Sequence, residues 1–258
     1  MATHGSLLFI ERSARVYRRT WRGSIISTFM NPILYLLAMG LGLGSLVDDG
    51  GGTMQLDVDY LSFLAPGLLA AATMMTAAGE SLYPVMAGMK WNKSYHDALA
   101  TPLSIRDLVI GHFGWVTVRI LFTAVVFTGV MVAFGTIGPA TALLVIPPSV
   151  LGGLAFAGPV SAYAARLKNE TGLSALFRFV ITPLFLFSGT FYPIEQLPDW
   201  MEPVAYVTPL WHAVEATRSV ALGIPTAWPV TLHYVVMAAF LFIGAVITDR
   251  LFKKRLHI

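Results

Sequence analysis

The chain contains no cysteine, and charged residues are scarce: they make up 12% of its 258 residues, against roughly 25% in an ordinary soluble domain. The first absence excludes disulfides, Fe–S clusters and thiolate metal sites. The second leaves too few solvating side chains for a sizeable soluble domain anywhere in the sequence. No GxxxxGK[ST] phosphate loop occurs, so the usual loop for holding a nucleoside triphosphate is missing. Nor is there the dense basic face that nucleic acid requires. The formal charge of +3 matters less than where the basic residues fall.

Apolar residues make up 56% of the chain. One membrane-spanning helix needs about 20 predominantly apolar residues. The expectation is therefore an all-α membrane protein, a single transmembrane domain with six spans at 23–47, 60–85, 108–134, 142–165, 172–192 and 228–248. Ahead of the first span, Leu7, Ile10, Ala14, Tyr17 and Trp21 recur at steps of three and four, opposite Glu11, Arg12, Arg15, Arg18, Arg19 and Arg22. Residues 1–22 read as an amphipathic helix lying in the headgroup region. A secretory signal is the competing reading, but the run at 23–47 is too long for its apolar core.

Asn31-Pro32 predicts a kink in the first span, and Gly40 with Gly44 forms a GxxxG pair that lets another helix approach closely. The run GLGLG at 40–44 reads as packing, because a nucleotide-binding glycine loop has to follow a strand. Asp48, Asp49, Asp57 and Asp59 make an acidic loop before the second span. The fourth span reads as broken, since Pro147, Pro148, Gly152, Gly153, Gly158 and Pro159 punctuate it. Residues 193–225 are too polar and proline-rich to span, yet carry Trp200, Tyr206 and Trp211, residue types of the membrane–water boundary. They read as two short helices, 198–206 and 209–222, in an outer re-entrant hairpin.

The N-terminal segment, the loop 90–107, the turn 166–168 and the C-terminal tail hold 14 of the 17 basic residues. By the positive-inside rule these segments, and both termini, are cytoplasmic. The loop 90–107, KWNKSYHDALATPLSIRD, interrupts otherwise almost continuous apolar sequence. Tyr95, Leu99 and Pro102 fall on one face of a short helix there, with Lys93, Asp97 and Thr101 around it. Spacing alone leaves a plain connecting loop equally open.

Four stretches, YLSFLAPGLLAAATM (60–74), SYHDALATPLSIRDLVIGH (94–112), FLFSGTFYPIEQLP (185–198) and PLWHAVEATRSVALG (209–223), together resemble the ABC-2 type permease family. The resemblance is strongest to its NodJ-like and daunorubicin-resistance-type exporter branch. It covers most of the chain and keeps the order and spacing of the segments. It implies a six-span permease half that pairs with a second permease chain, identical or homologous, each half docking an ATP-binding subunit that supplies ATP and Mg chemistry. No cofactor bound by this chain is implied. The coupling helix would be 95–102, in a partner-binding segment of Lys93, Tyr95, His96, Asp97, Leu99, Thr101 and Pro102, and the outer hairpin would match 194–223.

Glu80 and Arg119 are ionisable residues inside expected spans. Burying a charge at that depth costs at least ~2.5–3.5 kcal/mol, so such residues pair or face water. Their opposite signs and comparable depth predict a pair between adjacent helices; the functional alternative is a proton or substrate site. His212, Glu215 and Arg218 stand three apart on one helix. His-x-x-Glu hints at a metal pair, but zinc wants a third or fourth ligand and none is evident, so the cluster reads as a tie within the hairpin or a lateral substrate exit. His96, His112 and His233 are isolated in the sequence and receive no chemistry.

The reading is the membrane subunit of an ATP-driven exporter in a bacterial plasma membrane, moving an amphipathic cargo such as a glycolipid, lipid-linked saccharide or hydrophobic natural product. The main rival is an ion- or proton-coupled secondary transporter using Glu80 and Arg119, although the internal repeat common in such folds is not visible. An intramembrane enzyme would need a convergent set of acids, histidines or metal ligands at one face. A structural scaffold would leave the outer hairpin unexplained.

Overall fold

The computed structural model describes residues 2–39, 42 and 58–256. The Gly40–Gly44 pair and Asp48, Asp49 and Asp57 of the acidic loop lie outside the described residues. All regular structure among the described residues is helical. The elements are α1 (Ala2–Met39), α2 (Tyr60–Met86) continued by a π turn (Ala87–Trp91), α3 (Ser94–Leu99), α4 (Ile105–Ala133) and α5 (Pro139–Arg166). There follow α6 (Thr171–Phe187), α7 (Glu202–Val207), α8 (Pro209–Leu222) and α9 (Val230–Leu256). Among the described residues, four helices are long and apolar enough to cross a membrane: α2 with its π turn, α4, α5 and α9. α6 is a shorter apolar helix. Six spans were expected, and the described part of the first of them belongs to α1.

Three expectations from sequence are corrected. The interfacial helix at 1–22 is not a separate element, because α1 runs unbroken from Ala2 through Pro32 to Met39. Its first turns lie along α4, where Gly111 receives Phe9 and Gly114 receives Ile10, and a Cβ at either glycine would come within 3 Å of the incoming side chain. Of the face read as apolar, Ile10 and Tyr17 are part-buried, while Leu7, Ala14 and Trp21 stay exposed. The fourth span is likewise one continuous helix, α5, despite Pro147, Pro148 and Pro159. The glycines read there as breaks are contact points: Gly152 meets Ala213 of α8, Gly153 meets the Thr73 carbonyl of α2, and Gly158 lies against Gly244 of α9. Small residues let helix backbones approach where lipid offers no hydrophobic drive between them. Finally, α6 stops at Phe187, short of residue 192, because Gly189 takes a left-handed φ of 78° and residues 188–190 turn into the interior.

α5 is the hub of the bundle, with α2, α4, α8 and α9 packed around it. Burial separates the spans: 72% of the most apolar stretch of α2 is buried within the protein, but only 17% of that of α9. α2 is therefore a core helix enclosed by protein, and α9 turns Val235, Phe242, Ile243 and Val246 outward. Helix ends are fixed by side chains. Asp59 accepts from the Ser62 N–H at the start of α2, and Ser104 and Asp107 form a reciprocal capping box at the start of α4.

Candidate functional site

The polar loop forms a compact attachment on the face that carries the basic tail. After the π turn, Lys93 adopts a left-handed φ of 50°, which reverses the chain into α3. Tyr95 does not face outward as a partner-binding residue would; it is 3% exposed. Its ring lies over Gly88, where an added Cβ would sit 2.4 Å away. It also packs edge-on against Phe9 of α1 at 5.9 Å and, tilted by 42°, against Phe252 of α9 at 5.7 Å. Burial pushes the Tyr95 hydroxyl pKa up, because the phenolate would lose its water. α3 is thus pinned to three other elements through one aromatic side chain. Lys93, Asp97, Thr101 and Pro102 are exposed, Leu99 and His96 are half-buried, and Thr101 closes the helix end by donating to the Ala98 carbonyl at 2.6 Å.

Glu80 of α2 and Arg119 of α4 meet: Arg119 Nε donates to Glu80 Oε1 at 2.8 Å. Trp115 and Ser24, without a role in the sequence reading, and Tyr17, read there only as part of an apolar helix face, complete the cluster. Trp115 Nε1 donates to Glu80 Oε2 at 3.2 Å, Arg119 Nη2 donates to Ser24 Oγ at 2.7 Å, and the Arg119 guanidinium lies 4.2 Å from the Tyr17 ring centre. One turn separates Trp115 from Arg119 and two separate Tyr17 from Ser24, so helical spacing was the available signal. The cluster joins α1, α2 and α4 at the edge of a cavity of about 430 Å³. Ser24, Thr28, Asn31, Thr76, Glu80 and Arg119 give that cavity a polar wall, and Leu68, Phe127 and Phe185 an apolar one.

In the segment after α6, Arg218 is buried at 4% exposure. Its Nε donates to the Phe63 carbonyl at 3.2 Å, Nη2 to the Gly189 carbonyl at 2.7 Å and Nη1 to Glu215 at 3.3 Å. It ties α8 to α2 and to the turn that ends α6. His212 turns away from these two residues, and His233 is not isolated: the two rings meet through Nδ1 atoms 2.9 Å apart. His212 Nε2 faces the Tyr206 carbonyl at 3.0 Å. A carbonyl only accepts, so Nε2 carries the His212 proton and His233 donates to the bare Nδ1. Trp211, Tyr206 and Trp228 surround the pair. His112, also read as isolated, bonds Ser161 of α5 at 2.9 Å.

The chain is similar over most of its length to known proteins. Nodulation protein J of Rhizobium leguminosarum bv. trifolii is 28% identical over 255 residues, covering 98% of this chain and 95% of that protein. Nodulation protein J of Neorhizobium galegae is 26% identical over 249 residues, 95% and 92% of the two chains. The inner membrane transport permease YadH of Escherichia coli K12 is 23% identical over 227 residues, 87% and 85%. The sequence profile of the ABC-2 type transporter family matches residues 7–222, most of the length, and the chain belongs to that family.

Proposed function

We propose that this chain is the membrane subunit of an ATP-driven exporter in a bacterial inner membrane, with both termini cytoplasmic. It works with a second permease chain and two ATP-binding subunits that carry ATP and Mg, and it moves an amphipathic or lipid-linked substrate outward. The observation that carries this reading is α3: a short polar helix, exposed on one side and held on the other by Tyr95 against Gly88, Phe9 and Phe252. Force applied to its exposed side reaches three helices of the bundle at once. The partner face is then Lys93, Asp97, Thr101 and Pro102, with Tyr95 and Leu99 as the inward anchor. The half-polar, half-apolar cavity fits an amphipathic cargo, and the segment 193–225 closes the outward side.

The test is co-expression with a candidate ATP-binding subunit, scoring co-purification and ATP hydrolysis. Lys93→Glu with Asp97→Lys, which leaves the Thr101 contact at the helix end in place, should abolish co-purification while leaving the isolated chain's melting point nearly unchanged. A second reading, an ion- or proton-coupled transporter, is favoured by the place of Glu80 and Arg119 on the cavity wall. It predicts solute movement driven by a pH gradient without nucleotide.

A further inference from the structure

We propose a binding site for a phosphate group on the basic face, in the cleft where the ends of α2, α5 and α9 meet the side of α3. The cleft is about 90 Å³ and is bordered by Lys90, His96 and Arg255, with Met86, Met89 and Leu167 as apolar walls. That is about three times a water molecule's share of liquid volume. It is room for one anionic group and excludes the amphipathic cargo discussed above. The two cations are held in place by carbonyls at the end of α5: Lys90 Nζ donates to the Lys168 carbonyl at 2.5 Å, and Arg255 Nη2 to the Arg166 carbonyl at 2.8 Å. Each keeps further N–H donors free.

Neither takes part in the four ion pairs found among the described residues. His96 Nδ1 is buried beside them with no hydrogen-bond partner. A buried polar atom of this kind calls for a ligand or water. Ammonium, guanidinium and imidazole around one small cleft suit an anionic group with several acceptor oxygens, as the two non-bridging oxygens of a phosphodiester or those of free phosphate provide. The apolar walls would take the first carbons of a phospholipid, so headgroup and free phosphate share the chemistry. The site stands independently of the exporter reading.

The full chain would be reconstituted in phosphatidylcholine nanodiscs and its melting point followed in three arms: no addition, phosphatidylglycerol in the bilayer, or inorganic phosphate in solution. A saturable rise is expected. A rise with phosphate identifies a free-anion site, and a rise with phosphatidylglycerol alone identifies a headgroup site. Lys90→Gln with Arg255→Gln should abolish it, and Arg250→Gln with Lys254→Gln, the same loss of charge on neighbouring positions, should retain it. Equal loss in both double variants, or no rise in any arm, overturns the proposal. His96→Phe leaves both carbonyl contacts in place. It should raise the half-saturating concentration about tenfold, and an unchanged value in this variant also counts against the site.

Discussion

In a Glu80→Ala variant, Arg119 keeps Ser24 Oγ at 2.7 Å and the Tyr17 ring at 4.2 Å but loses its counter-ion at 2.8 Å. Trp115 loses the acceptor of its indole N–H. Removing one partner from a fully buried pair costs about 3–5 kcal/mol, whereas an exposed pair is worth at most about 1 kcal/mol. The Glu80 side chain is 21% exposed and borders the cavity, so water can hydrate the guanidinium left behind. The expected loss is therefore about 2–3 kcal/mol, between the two limits. Arg119→Ala should cost a similar amount, since it leaves a carboxylate with one indole donor.

The double variant should cost little more than either single, because the second substitution removes the orphaned charge. A charge swap, Glu80→Arg with Arg119→Glu, should be more stable than either single yet short of wild type. Trp115 would then point its N–H at a cation, and Tyr17 would present its ring face to an anion. Equilibrium unfolding of the purified protein in one detergent measures all four variants. Losses of the two singles that add within about 0.5 kcal/mol in the double, or a swap no better than either single, would refute the pairing argument.

Three further outcomes follow from close contacts. Gly88→Ala places a Cβ 2.4 Å from the Tyr95 ring and should cost about 1–3 kcal/mol by overpacking. The chain has no native cysteine, so an Asp97→Cys reporter should label faster in that background as α3 loosens. Gly158→Val forces α5 away from α9, where the Gly244 backbone lies 2.8 Å from the new Cβ, and should lower stability by a similar amount on thermal melting. Arg218→Met leaves the Phe63 and Gly189 carbonyls without their donor. At roughly 1–3 kcal/mol for a buried group left unsatisfied, the segment 193–225 should become sensitive to limited proteolysis.

The long helices were legible because their signal is length and composition. α4 and α9 begin within three residues of their expected starts, and α8 occupies the range read for it. Proline and glycine misled, because their local preference is to interrupt. In α5 the glycines are spent on close approach to α2, α8 and α9, a tertiary fact that no single helix displays. Tyr95 misled for a related reason. Its spacing placed it correctly on a face with Leu99, but which face looks inward depends on Gly88, Phe9 and Phe252, which come from three separate stretches. Glu80 and Arg119 were readable as a pair because an intramembrane charge has few alternatives. The meeting of His212 with His233 was not, since 21 residues and a turn separate them.

Both candidate sites converge on α1. Tyr95 touches Phe9 near its start, and Ser24, held by Arg119, begins the stretch in which Thr28, Asn31, Pro32 and Tyr35 line the cavity. Continuous helix connects them, about 22 Å at 1.5 Å per residue from Phe9 to Ser24. A displacement of α3 would therefore arrive at the cavity wall with no joint to absorb it. The bond from Arg119 to Ser24 opposes separation of α1 from α4 at the polar end, so the cavity would widen first near Tyr35 and Phe185. In the exporter reading, a hinge placed between the two sites should uncouple them. Arg22→Gly beside Gly23 supplies one at a local cost of about 1 kcal/mol, well away from α3 and two residues short of Ser24. ATP hydrolysis by the assembled complex should persist while substrate export falls. Export that survives the hinge would show that motion instead enters α4 directly, through the short connection from Leu99 to Ile105, and that α1 is not the transmitting element.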